Sequence, residues 1–259
     1  MPNFLRLSLL SATALGLLTG GAAAASAIGL AGDKTLVMFD TETLEVSGTM
    51  DVSGVTLLHG IDIRPADGML YGVADGTMVV TIDTATGAAT EKSTLSQTIP
   101  EGASAIVDFN PMADRLRFMG SDGTNLRANV DDGSVTVDGS LAYEASDMHA
   151  GETPNVVAAA YINSIGTPEA TAMYDIDATI NALVQQAPPN DGVLKSIGEL
   201  GIEASTYAFD ISSTAELVNT AWLVANSTLY TVDLESGAAT EVGALTGFEG
   251  ELRDIAILP

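Results

Sequence analysis

Apolar and polar residues alternate along this chain in runs of five or six, too short for stable helices and spaced as in half-buried strands. The clearest runs are Gly60–Pro65, Ile106–Pro111, Ala158–Asn163, Ala208–Ser212 and Leu252–Ala256. A second signal, an apolar residue followed by Asp and then a turn, recurs at Phe39-Asp40, Ile82-Asp83, Val130-Asp131, Ile176-Asp177 and Val232-Asp233, at intervals of 43 to 56 residues. Two of these copies, Thr81–Glu91 and Thr231–Glu241, share seven of eleven residues. Turn signals such as Asp67-Gly68, Asp75-Gly76, Asp122-Gly123 and Asp132-Gly133 punctuate the units. The best short helix candidate is Thr179–Gln186, which Pro188-Pro189 would stop.

The repeat is broken at the two ends in a complementary way. The alternating strand Leu252–Ala256 has no room behind it for the rest of a unit, while Ile28–Met50 supplies strands with no such strand before them. Joined, the fragments complete one unit. That predicts an all-β fold of five units of about 46 residues, a five-bladed propeller of four-stranded blades whose C-terminal strand pairs with the N-terminal strands. Closure of this kind removes the free sheet edges that an open β-solenoid would leave.

The segment before the first strand has a different character. Arg6 precedes an apolar stretch from Leu7 to Leu18, and small residues follow. This is the pattern of a secretory leader, too short to span a bilayer. Ala25-Ser26-Ala27 offers an exit motif, giving a leader over 1–27 and a propeller domain over 28–259, and Ala22-Ala23-Ala24 offers a second. The expected destination is the periplasm or the medium, with no membrane span left after cleavage. The closed ring makes a monomer the expectation.

Charge narrows the partners. The 259 residues hold 34 Asp and Glu against 9 Lys and Arg, a net charge of −25, so nucleic acid is not expected as a partner. The chain has no Cys and only two histidines, His59 and His149, in unrelated contexts. That excludes thiol chemistry and gives no metal-spacing motif of His and Cys.

Two sets of polar residues carry the candidate chemistry. In the alternating strands Asp62 and Arg64 fall on one side and Ile61 and Ile63 on the other; Asp108 with Asn110, Asp210 with Ser212, and Asp254 repeat the pattern, which Ala160 interrupts. If these strands are innermost, Asp62, Asp108, Asp210 and Asp254 can ring the axis. A hard, oxygen-seeking cation such as Ca²⁺ suits such a ring; pinning of the blades through backbone amides is the plainer alternative. The second set is Asn110, Asp114, Arg115, Arg117, Asn125, Arg127 and Asn129, to which Arg64 is added. It reads either as a patch for a carboxylate or sugar acid or as internal Arg–Asp bridging, with Asp114 and Asp108 as partners. The turn residues Asp40, Asp83, Asp177 and Asp233 read as structural acceptors of backbone amides.

The segments Ile28–Thr41 (IGLAGDKTLVMFDT), Gly60–Val73 (GIDIRPADGMLYGV), Val107–Asn129 (VDFNPMADRLRFMGSDGTNLRAN), Ala158–Ser164, Ala187–Gly201 and Tyr207–Ser212 together resemble a bacterial secreted family of unknown function, number 4394. The resemblance implies an exported, repetitive, propeller-like β protein and no settled activity. Two functions stay open: a non-catalytic binding or scaffold protein whose partner is a small molecule, glycan or protein, and a Ca²⁺-assisted hydrolase of the lactonase or phosphoesterase kind.

Overall fold

Strands this short cannot stand alone as hairpins, and they become stable only in packed sheets of three or more. The structure, a computed structural model describing residues 25–259, arranges them in five small sheets. The first holds β1 (Ser26–Ala31), β2 (Thr35–Asp40) and β3 (Val46–Asp51). The second is β4 (Leu58–Ile63), β5 (Leu70–Ala74), β6 (Met78–Ile82) and β7 (Ala89–Thr94). The third is β8 (Ala105–Asn110), β9 (Arg115–Gly120), β10 (Asn125–Ala128) and β11 (Val135–Val137). The fourth holds β12 (Ala142–Tyr143), β13 (Val156–Tyr161), β14 (Met173–Asp177), β15 (Ala182–Gln186) and β16 (Val193–Glu199). The fifth is β17 (Tyr207–Ser213), β18 (Asn219–Ala225), β19 (Thr228–Val232) and β20 (Ala239–Ala244).

The last strand, β21 (Leu252–Ile257), returns to the first sheet and pairs antiparallel with β1, Ile28 opposite Ala256, in the order β21-β1-β2-β3. The fold is a five-bladed propeller closed by its terminal strands. β21, β4, β8, β13 and β17 pack against one another in turn around the axis.

The expected four strands per blade hold in four blades. The fourth gains a fifth strand because β12 adds in parallel to the outer edge of β16, Ala142 opposite Val193. The helix candidate Thr179–Gln186 is not a helix: β15 occupies Ala182–Gln186, after a turn in which Asn181 takes φ 48°. Leu183 and Val184 point to opposite faces of the blade and both are fully buried, a requirement that a two-residue period meets and a helix does not. Helical geometry among the described residues is confined to one 3-10 turn, Pro189–Asp191.

Both faces of each blade are covered, so the core is divided among five interfaces. Ile28, Leu30 and Leu36 meet Leu58, Ile61 and Val80 between blades one and two. Val37, Phe39 and Ile255 meet Trp222 and Leu229 across the join that closes the ring. At roughly 1.5–3 kcal/mol for each large apolar side chain withdrawn from water, each interface is a substantial contribution to stability. Most of the expected leader, residues 1–24, lies outside the described residues. Its final positions do not: Ser26 and Ala27 belong to β1, and Ala27 is buried between Phe39 and Ile257.

Candidate functional site

An innermost strand has one edge without a partner, and its amides need acceptors. The aspartates supply them from the neighbouring blade. Asp254 accepts the N–H of Ile61 at 2.8 Å, Asp62 that of Phe109 at 2.6 Å, Asp108 that of Tyr161 at 3.1 Å, and Asp210 that of Ile257 at 2.6 Å. The carboxylates of Asp62, Asp210 and Asp254 each also accept the amide of the residue that follows. This relay runs around the axis and is interrupted only where Ala160 stands in β13.

The same relay concentrates negative charge. Asp62, Asp108 and Asp210 are 7%, 4% and 7% exposed, and one oxygen of each lies within 4.8 Å of the others. Asp254 is half-buried and outside that group. Among the described residues, no hydrogen bond reaches the second oxygen of Asp108. Burial, then the charge of neighbouring carboxylates, pushes Asp62 and Asp108 well above the usual carboxylate range. Loss of solvent raises Asp210 to about 6 and Asp254 to about 8, against the pull of the backbone amides they accept.

A cavity of about 680 Å³ opens onto this ring at the end of the axis where the inner strands finish. Asp62 and Asp210 lie in its lining with Ile63, Ile211, Ser212 and Thr214, and Ala25 and Pro259 stand there as well.

The arginine set divides into two clusters and a few turn residues. Arg64 grips both oxygens of Asp114 at 2.8 and 2.6 Å and reaches Asp131 at 3.0 Å, between blades two and three. Arg117, 1% exposed, donates to Asp138 at 2.6 Å, Asn125 at 2.9 Å, Asn190 at 2.8 Å and the Tyr161 hydroxyl at 3.2 Å. Arg127 holds both oxygens of the same Asp138 at 3.0 Å. Burial opposes the charge of Asp138, but hydrogen bonds from Arg127 and Arg117 hold its carboxyl below the usual range. Arg115 donates to backbone carbonyls of Ala113 and Asp114. Asn110 and Asn129 accept backbone amides in tight turns, as Asp40, Asp83 and Asp233 do. Arg64, Arg117 and Arg127 are thus bridged internally by Asp114, Asp131 and Asp138, Arg115 is not, and Asp108 takes no part.

Several polar residues of these clusters were not visible in the sequence. Asp138 sits in a Val-Asp-Gly stretch that reads as an ordinary turn, and Asn190 lies beyond a Pro-Pro pair. Asp175 on β14 is 0% exposed, and neither of its oxygens has a partner among the described residues. Burial pushes its carboxyl well up.

No curated protein matches the sequence. Among solved structures, a protein of unknown function from Bacteroides thetaiotaomicron superposes with a TM-score of 0.52 at 17% identity, over 88% of this chain and 63% of that one. A protein of unknown function from Bacteroides caccae gives 0.46 at 12%, over 85% and 73% of the two chains. An auxiliary nutrient binding protein from Bacteroides thetaiotaomicron gives 0.48 at 12%, over 85% and 56%. The first likeness is one of fold, and the chain spans less than two thirds of that protein's length. The family comparison reaches nearly the whole propeller: over residues 35–256 the chain matches, and belongs to, the family described as a domain of unknown function, DUF4394.

Proposed function

We propose that this propeller is an exported, non-catalytic binding protein that takes a small molecule into the axial cavity, with a hard cation such as Ca²⁺ on the Asp62–Asp108–Asp210 group. The cavity carries this reading. Its volume of about 680 Å³ is within the range of small-molecule sites, and its lining joins apolar walls to hydroxyls and two buried carboxylates. The oxygens that converge there are the donor type that Ca²⁺ prefers, and those already accepting an amide keep a second lone pair. Burial first, and then the neighbouring carboxylates, raise the pKa values of Asp62 and Asp108, and a cation bound there would lower them again by favouring the ionised form.

The test is elemental analysis of the purified exported protein, with thermal melts after chelation and after adding Ca²⁺. Stoichiometric metal, with a melting temperature that falls on chelation and rises with Ca²⁺, is the expected result. Absence of metal and of any shift overturns the cation. Asp62→Asn and Asp108→Asn variants that fold but lose the Ca²⁺ response would place the ion on the ring. If they unfold, and the wild type shows no cation-dependent signal, the aspartates only tie blade to blade.

A second reading follows from the ring lying at the floor of an open cavity. A cation there would face an entering ester or phosphate, which favours the Ca²⁺-assisted hydrolase. Turnover of lactone or phosphomonoester substrates that appears with Ca²⁺ and disappears in Asp210→Asn would establish it; none across both classes would dismiss it.

A further inference from the structure

The opposite mouth of the axis, where the inner strands begin, has its own construction. Three of the five inner strands carry a β-bulge there: the pairing skips Arg253 in β21, His59 in β4 and Val157 in β13. A bulge re-aims the side chain it frees. All three freed residues line one cavity of about 460 Å³ at this mouth, together with Ser104, Tyr207 and Asp33.

Two of them present hydrogen-bond donors. Arg253 donates to the carbonyls of Gly32 at 2.7 Å, His59 at 2.9 Å, Asp33 at 3.2 Å and Leu58. Four of its five N–H groups are fixed in this way, one Nη1 N–H is uncommitted among the described residues, and no carboxylate lies against the guanidinium. His59 accepts the Gly76 N–H at Nε2, 3.0 Å away, so its proton resides on Nδ1. Burial and then the Arg253 charge hold its pKa down, which favours the neutral ring. The free N–H of a cationic guanidinium and an imidazole N–H on one small cavity form a donor pair for an oxyanion. Asp33 is the one carboxylate in the lining, and it disfavours a dianion such as phosphate more than a monoanion.

We infer that this second cavity is a binding site for a small monocarboxylate, held by the free Nη1 N–H of Arg253 and the Nδ1–H of His59. It is separate from the acidic cavity at the other mouth, and neither depends on the other being occupied.

The probe is acetate, titrated into the exported full-length protein at constant ionic strength with chloride as the replaced anion, and followed by amide NMR shifts. Saturable shifts at Gly32, His59, Ser104 and Arg253 with a millimolar Kd are expected. Arg253→Lys keeps the charge but loses the Nη1 N–H that the carbonyl contacts hold in place, and should weaken acetate about tenfold. Ser104→Trp fills the exposed rim without touching either donor; it should abolish the shifts and leave the melting temperature unchanged, which keeps the test valid if Arg253→Lys fails to fold. Shifts that grow linearly without saturating, that chloride reproduces, or that persist in Ser104→Trp would overturn the site.

Discussion

Asp138 shows how much can depend on one carboxylate. Among the described residues it is the one acid in a salt bridge with Arg117, which is almost fully withdrawn from water, and it is shared with the more exposed Arg127. Asp138→Asn leaves Arg117 without its counter-charge and should cost about 3–5 kcal/mol in a denaturant melt. Arg127→Ala keeps the buried pair and should cost about 1 kcal/mol or less. The protonation of the ring gives a second prediction. Asp62, Asp108, Asp175, Asp210 and Asp254 all have carboxyl pKa values raised by burial, so the native state holds protons that the unfolded chain releases. Their effect is therefore a loss of stability as pH rises from the usual carboxylate range through about 6 for Asp210 and about 8 for Asp254. The turn acids Asp40 and Asp233, held low by backbone amides, lose their contribution only on strong acidification. Melting temperatures measured without added metal should peak in mild acid and decline toward pH 9. Asp175→Asn should shallow that decline, since its amide cannot ionise in the apolar site; an unchanged slope would show that Asp175 titrates normally.

At the scale of the element, the first strand bears on the leader expected over residues 1–27. Ala25 exchanges backbone and hydroxyl hydrogen bonds with Thr41, and Ser26 accepts the amide of Leu258. Processing after Ala27 would remove all of these and the buried Ala27 side chain, whereas processing after Ala24 keeps them. Intact mass of the exported protein should correspond to a chain starting at Ala25; a start at Ile28 would refute this. The inner strands also show what the sequence could and could not disclose. Alternation around Asp62, Asp108 and Asp210 was legible because pleating imposes a two-residue period. Their acceptor role was not, because each bond crosses to a strand 47 or 53 positions away. The same distance hid the partners of the arginines: Arg64 reaches Asp114 from 50 positions away, although Asp114 adjoins Arg115 in sequence. β12 escaped notice because two residues carry no period at all.

For the whole molecule, the five blades were legible because the same short pattern recurs at nearly constant intervals, and the split unit at the ends announced the closure. The cavities were not, since each is formed by loops and strand ends from several blades. Closure also makes a prediction. Deleting Leu252–Pro259 strips β1 of one partner and opens the Ile255–Trp222 contact, so the shortened chain should lose cooperative melting and expose apolar surface to a dye. A deletion mutant that melts as sharply as the intact protein would mean that the blades stand independently.

The join between β1 and β21 also orders events in time. Arg253 clasps the turn at Gly32 from 221 positions away, so one wall of the first blade is absent until β21 is available to pair. Blades two to five can assemble from neighbouring segments as the chain appears, but the ring locks only when its last strand arrives. A chain whose last strand has yet to pair therefore remains unlocked and pliable, and rigidity comes as the final step.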